Sequence, residues 1–488
     1  MTRPNILADG NPLFCDLYHL TMAQAWFVDG KTNEIKTSEC FFRKCPFKGS
    51  YLLSAGLAEF SDWLENWHFS QDNIKYLQGL KNADESKRFS NEFLEYIKNQ
   101  PLQISIDAVE EGEVVFPNEP IYSITGPTWQ VEVVEAALLN IFNSQSLIAT
   151  KASRIVQAAC SDGIERPVLE FGVRRGQELG GFSATRACYI GGMSGTSNVA
   201  AAQYYDIPVS GTMAHSYIMS YEDETDAYKA YLRSSTGNTT LLVDTYETRQ
   251  GVKNAIKASQ ETDTDLQGIR IDSGDLAFWA KEARKILDDA GFIDTKIIGS
   301  NDLDEYSIAK LVEQNAPYDI FATGTKAVTA YDNPALGGVF KTKQYVSRPV
   351  IKVAEGKTTI PGKTNILRIT KDGKYAGDII QNADTSVVTD GKLNTNIQSH
   401  VIGSDGIKTL HFGKGEDAYT LLKPLMRNGK IVNRPQKDLK AIQAKAKANL
   451  QKLDDGYKLF ANPQNYPVGL ENSVYTLQQN LIILHQGR

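Results

Sequence analysis

An imidazole with room around it is the first group in this chain whose setting suggests chemistry. His215, one of six histidines, stands in the run Gly211-Thr212-Met213-Ala214-His215-Ser216, directly after the apolar stretch Ile207–Ser210. The pattern predicts a histidine presented at the end of a buried strand among small residues and hydroxyls. There it can carry a proton or accept a phosphoryl group near neutral pH. A lone histidine is more commonly a hydrogen-bonded structural residue, but the residues downstream argue otherwise. Asp244, Arg270, Asp272, Asn301, Asp302, Gly324 and Thr325 each fall where an apolar run ends. One carboxylate in such a place is as readily a helix cap as a functional group. Several in succession, with an arginine inside a strand, are not explained by capping and indicate an enzyme site.

Two short runs, Gly299-Ser300-Asn301 and Gly324-Thr325, place bare backbone amides beside a hydroxyl, which suits phosphate oxygens. Neither a Gly-x-x-x-x-Gly-Lys-Ser/Thr loop nor a Gly-x-Gly-x-x-Gly after a first strand occurs, so any nucleotide is held in another way. Upstream, Leu169-Glu170-Phe171-Gly172-Val173-Arg174-Arg175-Gly176 ends an apolar run in an aromatic ring, a glycine and paired arginines. The ring can stack on a flat heterocycle, and the arginines can clamp a carboxylate or phosphate. A core phenylalanine beside solvated arginines is the plainer alternative for this stretch alone. Gly191-Gly192-Met193-Ser194-Gly195-Thr196-Ser197-Asn198 adds a small, polar loop.

Positioning such groups falls to strands and helices in alternation. Leu241–Asp244 and Gly268–Asp272 read as strands, as do Lys296–Gly299 and Asp319–Thr323; helical patterns separate them. Asp272 or Ser273 is the expected N-cap of a helix with the apolar stripe Leu276, Trp279, Ala280, Ala283 and Leu287, stopped by Gly291. Ser300-Asn301-Asp302 is expected to cap the next helix. Short loops between them predict a parallel α/β sheet with right-handed crossovers. In a β/α barrel, the C-terminal strand ends form the active-site face.

These motifs together resemble nicotinate phosphoribosyltransferase, a type II phosphoribosyltransferase family. Those that carry the resemblance are Leu169–Gly176, Gly195–Asn198, Gly211–Ser216, Arg270-Ile-Asp-Ser-Gly-Asp275, Gly324-Thr325 and Asp16-Leu-Tyr18-His-Leu-Thr21-Met22, from about residue 12 to about residue 470. The resemblance implies synthesis of nicotinate mononucleotide and pyrophosphate from nicotinate and phosphoribosyl pyrophosphate, coupled to ATP hydrolysis, on the way to NAD. It implies that His215 is the residue ATP phosphorylates. Tyr18 and Phe171 would sandwich the pyridine, Thr212 and Arg270 would meet its carboxylate, and Arg174 would lie at the same mouth. Thr325, with Gly324, would contact the 5′-phosphate, with Gly299, Ser300 and Asn301 as further phosphate-binding candidates. Asp244 and Asp272 are candidates to orient ribose hydroxyls or hydrated Mg²⁺, itself expected on the substrate phosphates; helix capping is their alternative. Pro361-Gly362-Lys363 fits a basic loop of the family, and no role is assigned to it. Nicotinamide-using relatives place an acid where this chain has Ser197, which argues for the acid substrate. A quinolinate-using relative calls for more cations, and a silent barrel scaffold for the loss of Arg270 or His215. The family pairs head to tail, the N-terminal aromatic reaching the neighbouring subunit's site, so a homodimer is expected.

Composition agrees. The chain has 488 residues, enough for several domains, and a net charge of −6, which argues against nucleic acid or an anionic membrane as partner. Cys15, Cys40, Cys45, Cys160 and Cys188 form no Cys-x-x-Cys pair and suit reduced thiols. No secretory pattern and no apolar run of spanning length occurs, so a cytoplasmic protein is expected. The expected fold is α/β, an irregular β/α barrel of type II phosphoribosyltransferase kind with an α/β N-terminal domain and a C-terminal extension. Its expected parts are an N-terminal domain at 1–130, the barrel at 131–345, a β-rich segment at 346–430 that packs on the N-terminal domain, and a helical extension at 431–488.

Overall fold

The strand–helix alternation read along the middle of the chain forms one six-stranded, wholly parallel sheet in a computed structural model that describes residues 9–234, 237–403 and 406–486. Its strands are β1 (Val168–Glu170), β2 (Gly195–Thr196), β3 (Thr240–Leu242), β4 (Gly268–Ile271), β5 (Lys296–Gly299) and β6 (Ile320–Thr323). They lie in the order β2-β1-β6-β5-β4-β3. Each is short because it crosses a sheet covered on both sides: Ile269, Ile271, Leu241, Leu242, Ile297 and Phe321 are all buried. On one face Leu169 pairs in register with Ala322, and Arg270 stands between Ile298 and Leu242. A guanidinium in an otherwise apolar layer is costly to desolvate unless it finds polar partners.

The stretch Ile207–Ser210 is not the buried strand its composition predicts. It meets the sheet at a single bridge, Thr196 to Val209, and Val209 is largely exposed. Pro208 offers only its carbonyl, which accepts from Thr196 N at 3.0 Å, and the pairing ends after Ser210 N donates to Thr196 O at 2.8 Å. From the chain just beyond, Gly211 O accepts from Asn238 Nδ2 at 2.7 Å.

Two helix starts also lie further on than expected. Asp275 caps helix Leu276–Asp289, accepting from Phe278 N at 3.0 Å, while Ala280, Ala283 and Leu287 face the core. Asp304 caps helix Glu305–Glu313 in a reciprocal box with Ser307. Asp272, Ser273, Ser300, Asn301 and Asp302 are therefore released from capping and left on the loops beyond β4 and β5. The N-terminal turn of the second helix is held from below, where buried Arg154 donates to Glu305 at 2.8 Å.

Packing divides the chain into two compact units, residues 147–334 with the parallel sheet and residues 1–146 with 335–488. The long helix Glu135–Ala159 contains the division. In the second-named unit, helices Leu17–Val28, Leu57–Glu65 and Asn91–Asn99 accompany a seven-stranded sheet in which Ile35–Phe42 pairs with Gly338–Tyr345 and Ser105–Val109 with Leu422–Arg427. An eight-stranded sheet is built wholly from residues after 363. Its hairpins turn at Asp372-Gly373 and Asp390-Gly391, with both residues of each pair at positive φ as a type I′ turn requires. The charged C-terminal stretch forms helix Leu439–Lys452, and a further helix, Asn472–Gln486, follows. No helix among the described residues is long and apolar enough to cross a membrane.

Candidate functional site

The loops at the C-terminal ends of β3, β4 and β5 meet in one chain of hydrogen bonds. Asp244 Oδ2 accepts from Asp272 N at 2.9 Å and from Ser273 Oγ at 2.6 Å, and Asp272 Oδ1 accepts from Ser300 Oγ at 2.5 Å. Asp272 Oδ2 then faces Arg270 Nη2 at 3.8 Å and His215 Nε2 at 3.9 Å. His215 opens the short helix His215–Ile218, and its Nδ1 lies 3.1 Å from Thr245 Oγ1. With the hydroxyl accepting from Nδ1–H, Nε2 keeps its lone pair.

Arg270 rises from β4 and donates to Thr212 Oγ1 at 2.7 Å, with its cation 5.9 Å from the centroid of the Phe171 ring. Burial pulls its pKa down, and the Asp272 and Asp244 carboxylates oppose that shift. Its buried Nε has no partner, and neither has the buried Asp244 Oδ1. The site therefore holds one buried donor and one buried acceptor that are unsatisfied within the protein. Arg174, exposed on the loop after β1, adds positive charge that Arg270 feels.

The glycines divide by purpose. At Gly299 a Cβ would come within 2.8 Å of the Tyr318 ring, so packing alone requires a glycine there. At Gly172 a Cβ would lie 2.5 Å from Val328, which draws the Phe171 turn close against the helix that Gly324 begins, Thr325–Val328. Asn301 and Asp302 adopt φ of 98° and 37°, a strained turn that exposes both residues at the end of β5. Ser300 is buried, and its hydroxyl already serves Asp272.

One carboxylate that motif reading passed over organises the other side of this face. Glu170, 1 % exposed, ends β1. It accepts from Gly172 N, from Thr185 Oγ1 at 2.9 Å and from Thr196 Oγ1 at 2.5 Å. Its own carbonyl accepts from Ser197 N at 2.9 Å. An acid between Leu169 and Phe171 in a buried run is the sequence signal that could have found it. Thr245 carries no sequence expectation and Ser273 is expected only as a helix cap; each lies beside a named aspartate.

Tyr18 belongs to the other unit. There it stands half-exposed on helix Leu17–Val28, its ring 4.1 Å from that of buried His19. His19, Glu132 and Glu135 lie close enough together to suggest a metal site. Asp16 N, however, donates to His19 Nδ1 at 3.1 Å, so Nε2 carries the proton, 3.4 Å from Glu135, and Lys36 pairs with Glu132. No lone pair is left on that ring for an ion.

Comparison with known proteins finds matches along most of the chain. The model of the nicotinate phosphoribosyltransferase (NAPRTase) N-terminal domain matches residues 13–143, that of the NAPRTase family residues 167–357, and that of the C-terminal domain residues 363–478. The nicotinate phosphoribosyltransferase of Bacillus subtilis is 37 % identical over 480 residues, covering 96 % of this chain and 94 % of that protein. That of Caenorhabditis elegans is 34 % identical over 430 residues, covering 75 % of each. The crystal structure of human nicotinic acid phosphoribosyltransferase superposes with a TM-score of 0.80 at 24 % identity, over 96 % of this chain and 99 % of that one. The nicotinate-nucleotide pyrophosphorylase of Pyrococcus furiosus does so with 0.69 at 21 %, over 93 % and 97 %. At those identities the two structures establish the fold, the mixed α/β architecture of the type II phosphoribosyltransferases.

Proposed function

The chain belongs to the nicotinate phosphoribosyltransferase family, and we propose that it joins nicotinate to phosphoribosyl pyrophosphate, releasing pyrophosphate, with one ATP hydrolysed through a phosphate carried on His215. Nicotinate phosphoribosyl transfer in NAD biosynthesis is the activity its family membership supports. The observation that carries the reading is Arg270: a half-buried guanidinium with an open Nε, tethered to Thr212 and set over the Phe171 ring. That is a carboxylate anchor beside a surface for a flat ring.

Displacing pyrophosphate from the anomeric carbon builds positive charge on the ribose and negative charge on the leaving group. Positioning and electrostatics supply most of the rate, and no protein nucleophile on carbon is required. Asp244, with its free buried oxygen, and Asp272 are the carboxylates that fit ribose hydroxyls or a hydrated Mg²⁺. When bound, the ion neutralises phosphate charge. In the ATP step, His215 Nε2 attacks the γ-phosphorus and ADP leaves; water later takes the phosphoryl group. The phosphate added beside Asp272 and Arg270 reorganises their charge balance, which couples hydrolysis to substrate binding. Gly324, Thr325 and the Ser300–Asp302 turn are assigned to the phosphoribosyl phosphates. Tyr18 is assigned to the second face of the pyridine, supplied by the partner in a cytoplasmic homodimer.

Product analysis tests this directly, with nicotinate, nicotinamide and quinolinate each supplied with and without ATP. Nicotinate mononucleotide, formed faster with ATP, is the expected result. Equal turnover of nicotinamide would overturn the substrate assignment.

A further inference from the structure

We propose that Glu170 is a positioning residue that sets the nicotinate pocket by holding together the Phe171 turn and the Ser197 loop, which follow neighbouring strands. The proposal rests on the reading of Phe171 and Ser197 as substrate-facing. Three donors converge on this one buried carboxylate, one from the turn directly after it and two from segments further along the chain. Gly172 N is the backbone of the turn that carries Phe171. Thr185, on helix Gly180–Ile190, donates at 2.9 Å, and Thr196, two residues before the helix cap Asn198, donates at 2.5 Å.

The attachment continues outward. Thr196 Oγ1 also accepts from Asn198 N at 2.9 Å, and Asn198 Nδ2 reaches Thr185 Oγ1 at 3.3 Å. With Asn198 N tied to the Thr196 hydroxyl and Ser197 N to the Glu170 carbonyl at 2.9 Å, the backbone around Ser197 has no free donor left to drift. Even the glycine at 172 answers to this carboxylate, since a Cβ there would sit 3.0 Å from Glu170 Oε1.

A charge so deeply buried is costly, and the same loops could be joined by a neutral side chain at less expense. What the ionised form adds is strength and direction. As a pure acceptor it orients both threonine hydroxyls toward itself, leaving their lone pairs to receive the Asn198 donors. The separation between Phe171 and Ser197 is thereby set by one short, charge-assisted cluster rather than by loop packing.

Glu170→Gln keeps size and shape but supplies two donors where the hydroxyls need an acceptor. The expected result is a KM for nicotinate raised at least tenfold, with kcat and the KM for phosphoribosyl pyrophosphate within about twofold and the melting temperature nearly unchanged. Thr196→Val, which removes one donor on the Ser197 side, should reproduce that split. The double variant should lose little beyond either single change, because both break one cluster. An unchanged KM for nicotinate in Glu170→Gln overturns the assignment. So does a variant in which both KM values rise together with a fall in melting temperature, the pattern of a merely structural residue. If the unmodified protein makes no nicotinate mononucleotide, the functional reading fails and this proposal with it; loss confined to the variants bears on Glu170 alone.

Discussion

Arg270 shows how one side chain is made available for binding by being denied other partners. Its Nη1 is spent on Thr212, its Nη2 stands 3.8 Å from Asp272, and its Nε is buried and open. A charge-assisted hydrogen bond from such a group to a substrate carboxylate is worth about 1.5–3 kcal/mol, or roughly 10- to 150-fold. Arg270→Ala is therefore expected to lower kcat/KM for nicotinate by at least that order while circular dichroism reports an unchanged fold. Kinetics equal to those of the unmodified protein would return the arginine to a packing role. His215 makes a different prediction, because it is assigned to ATP and not to the ribose. Incubation with ATP should leave an acid-labile, base-stable phosphate on the protein, and His215→Ala should abolish both that phosphate and ATP stimulation. Slow ATP-independent product formation should survive. Mapping the phosphate to another residue would refute the assignment.

Helix Glu305–Glu313, beyond the strained Asn301-Asp302 turn, begins on a single capping residue. Its cap, Asp304, accepts from Ser307 N and Ser307 Oγ at 2.8 Å each, and from Lys326 Nζ at 2.7 Å. Burial pushes the Asp304 carboxyl up, but the Lys326 ammonium and the Ser307 donors outweigh it and hold the group below the usual carboxylate range. A carboxyl depressed in the folded state contributes stability that is present above its unfolded pKa and is lost as pH falls through the folded value. Asp304→Ala should therefore destabilise the protein by ~1 kcal/mol or more in urea unfolding at neutral pH. The difference from the unmodified protein should shrink as pH falls below the ordinary carboxylate range. A difference that stays constant with pH would mean that the lost contribution is packing rather than charge. Lys326 lies one residue beyond Thr325, so the same pair ties the Gly324-Thr325 turn to the loop after β5.

At the scale of the molecule, the residues proposed for the reaction are divided between two compact units. The histidine, arginine and aspartates belong to residues 147–334, and Tyr18 belongs to the unit formed by the two ends of the chain. In the proposed homodimer the tyrosine is supplied by the partner, and complementation tests this. Tyr18→Ala and His215→Ala should each be poorly active alone. After dissociation and mixing they should regain activity, because one hybrid site then carries both native residues. No recovery despite proven subunit exchange would place Tyr18 in its own chain's site.

What the sequence by itself determined is what local periodicity and residue type can encode. The strand–helix alternation from β3 to β6, the stripe Ala280, Ala283 and Leu287, and the Asp-Gly hairpins were legible because each depends on neighbours a few residues away. So was the set of polar groups at strand ends, because an arginine in the run Gly268–Ile271 conflicts with its own surroundings. Tertiary structure decided which acids cap helices and which stand clear of them. Asp275 and Asp304 took the helix starts, freeing Asp272 and the 300–302 turn, a choice fixed by where each helix docks rather than by composition. It also demoted Ile207–Ser210 from strand to single bridge, because Pro208 cannot donate to the ladder. It joined the ends of the chain, where Thr364 N meets Glu39 Oε1 at 2.7 Å across 325 residues, a pairing with no local signal. Glu170 shows the same limit at the site: its role exists only once residues 15 and 26 positions downstream have folded back onto it.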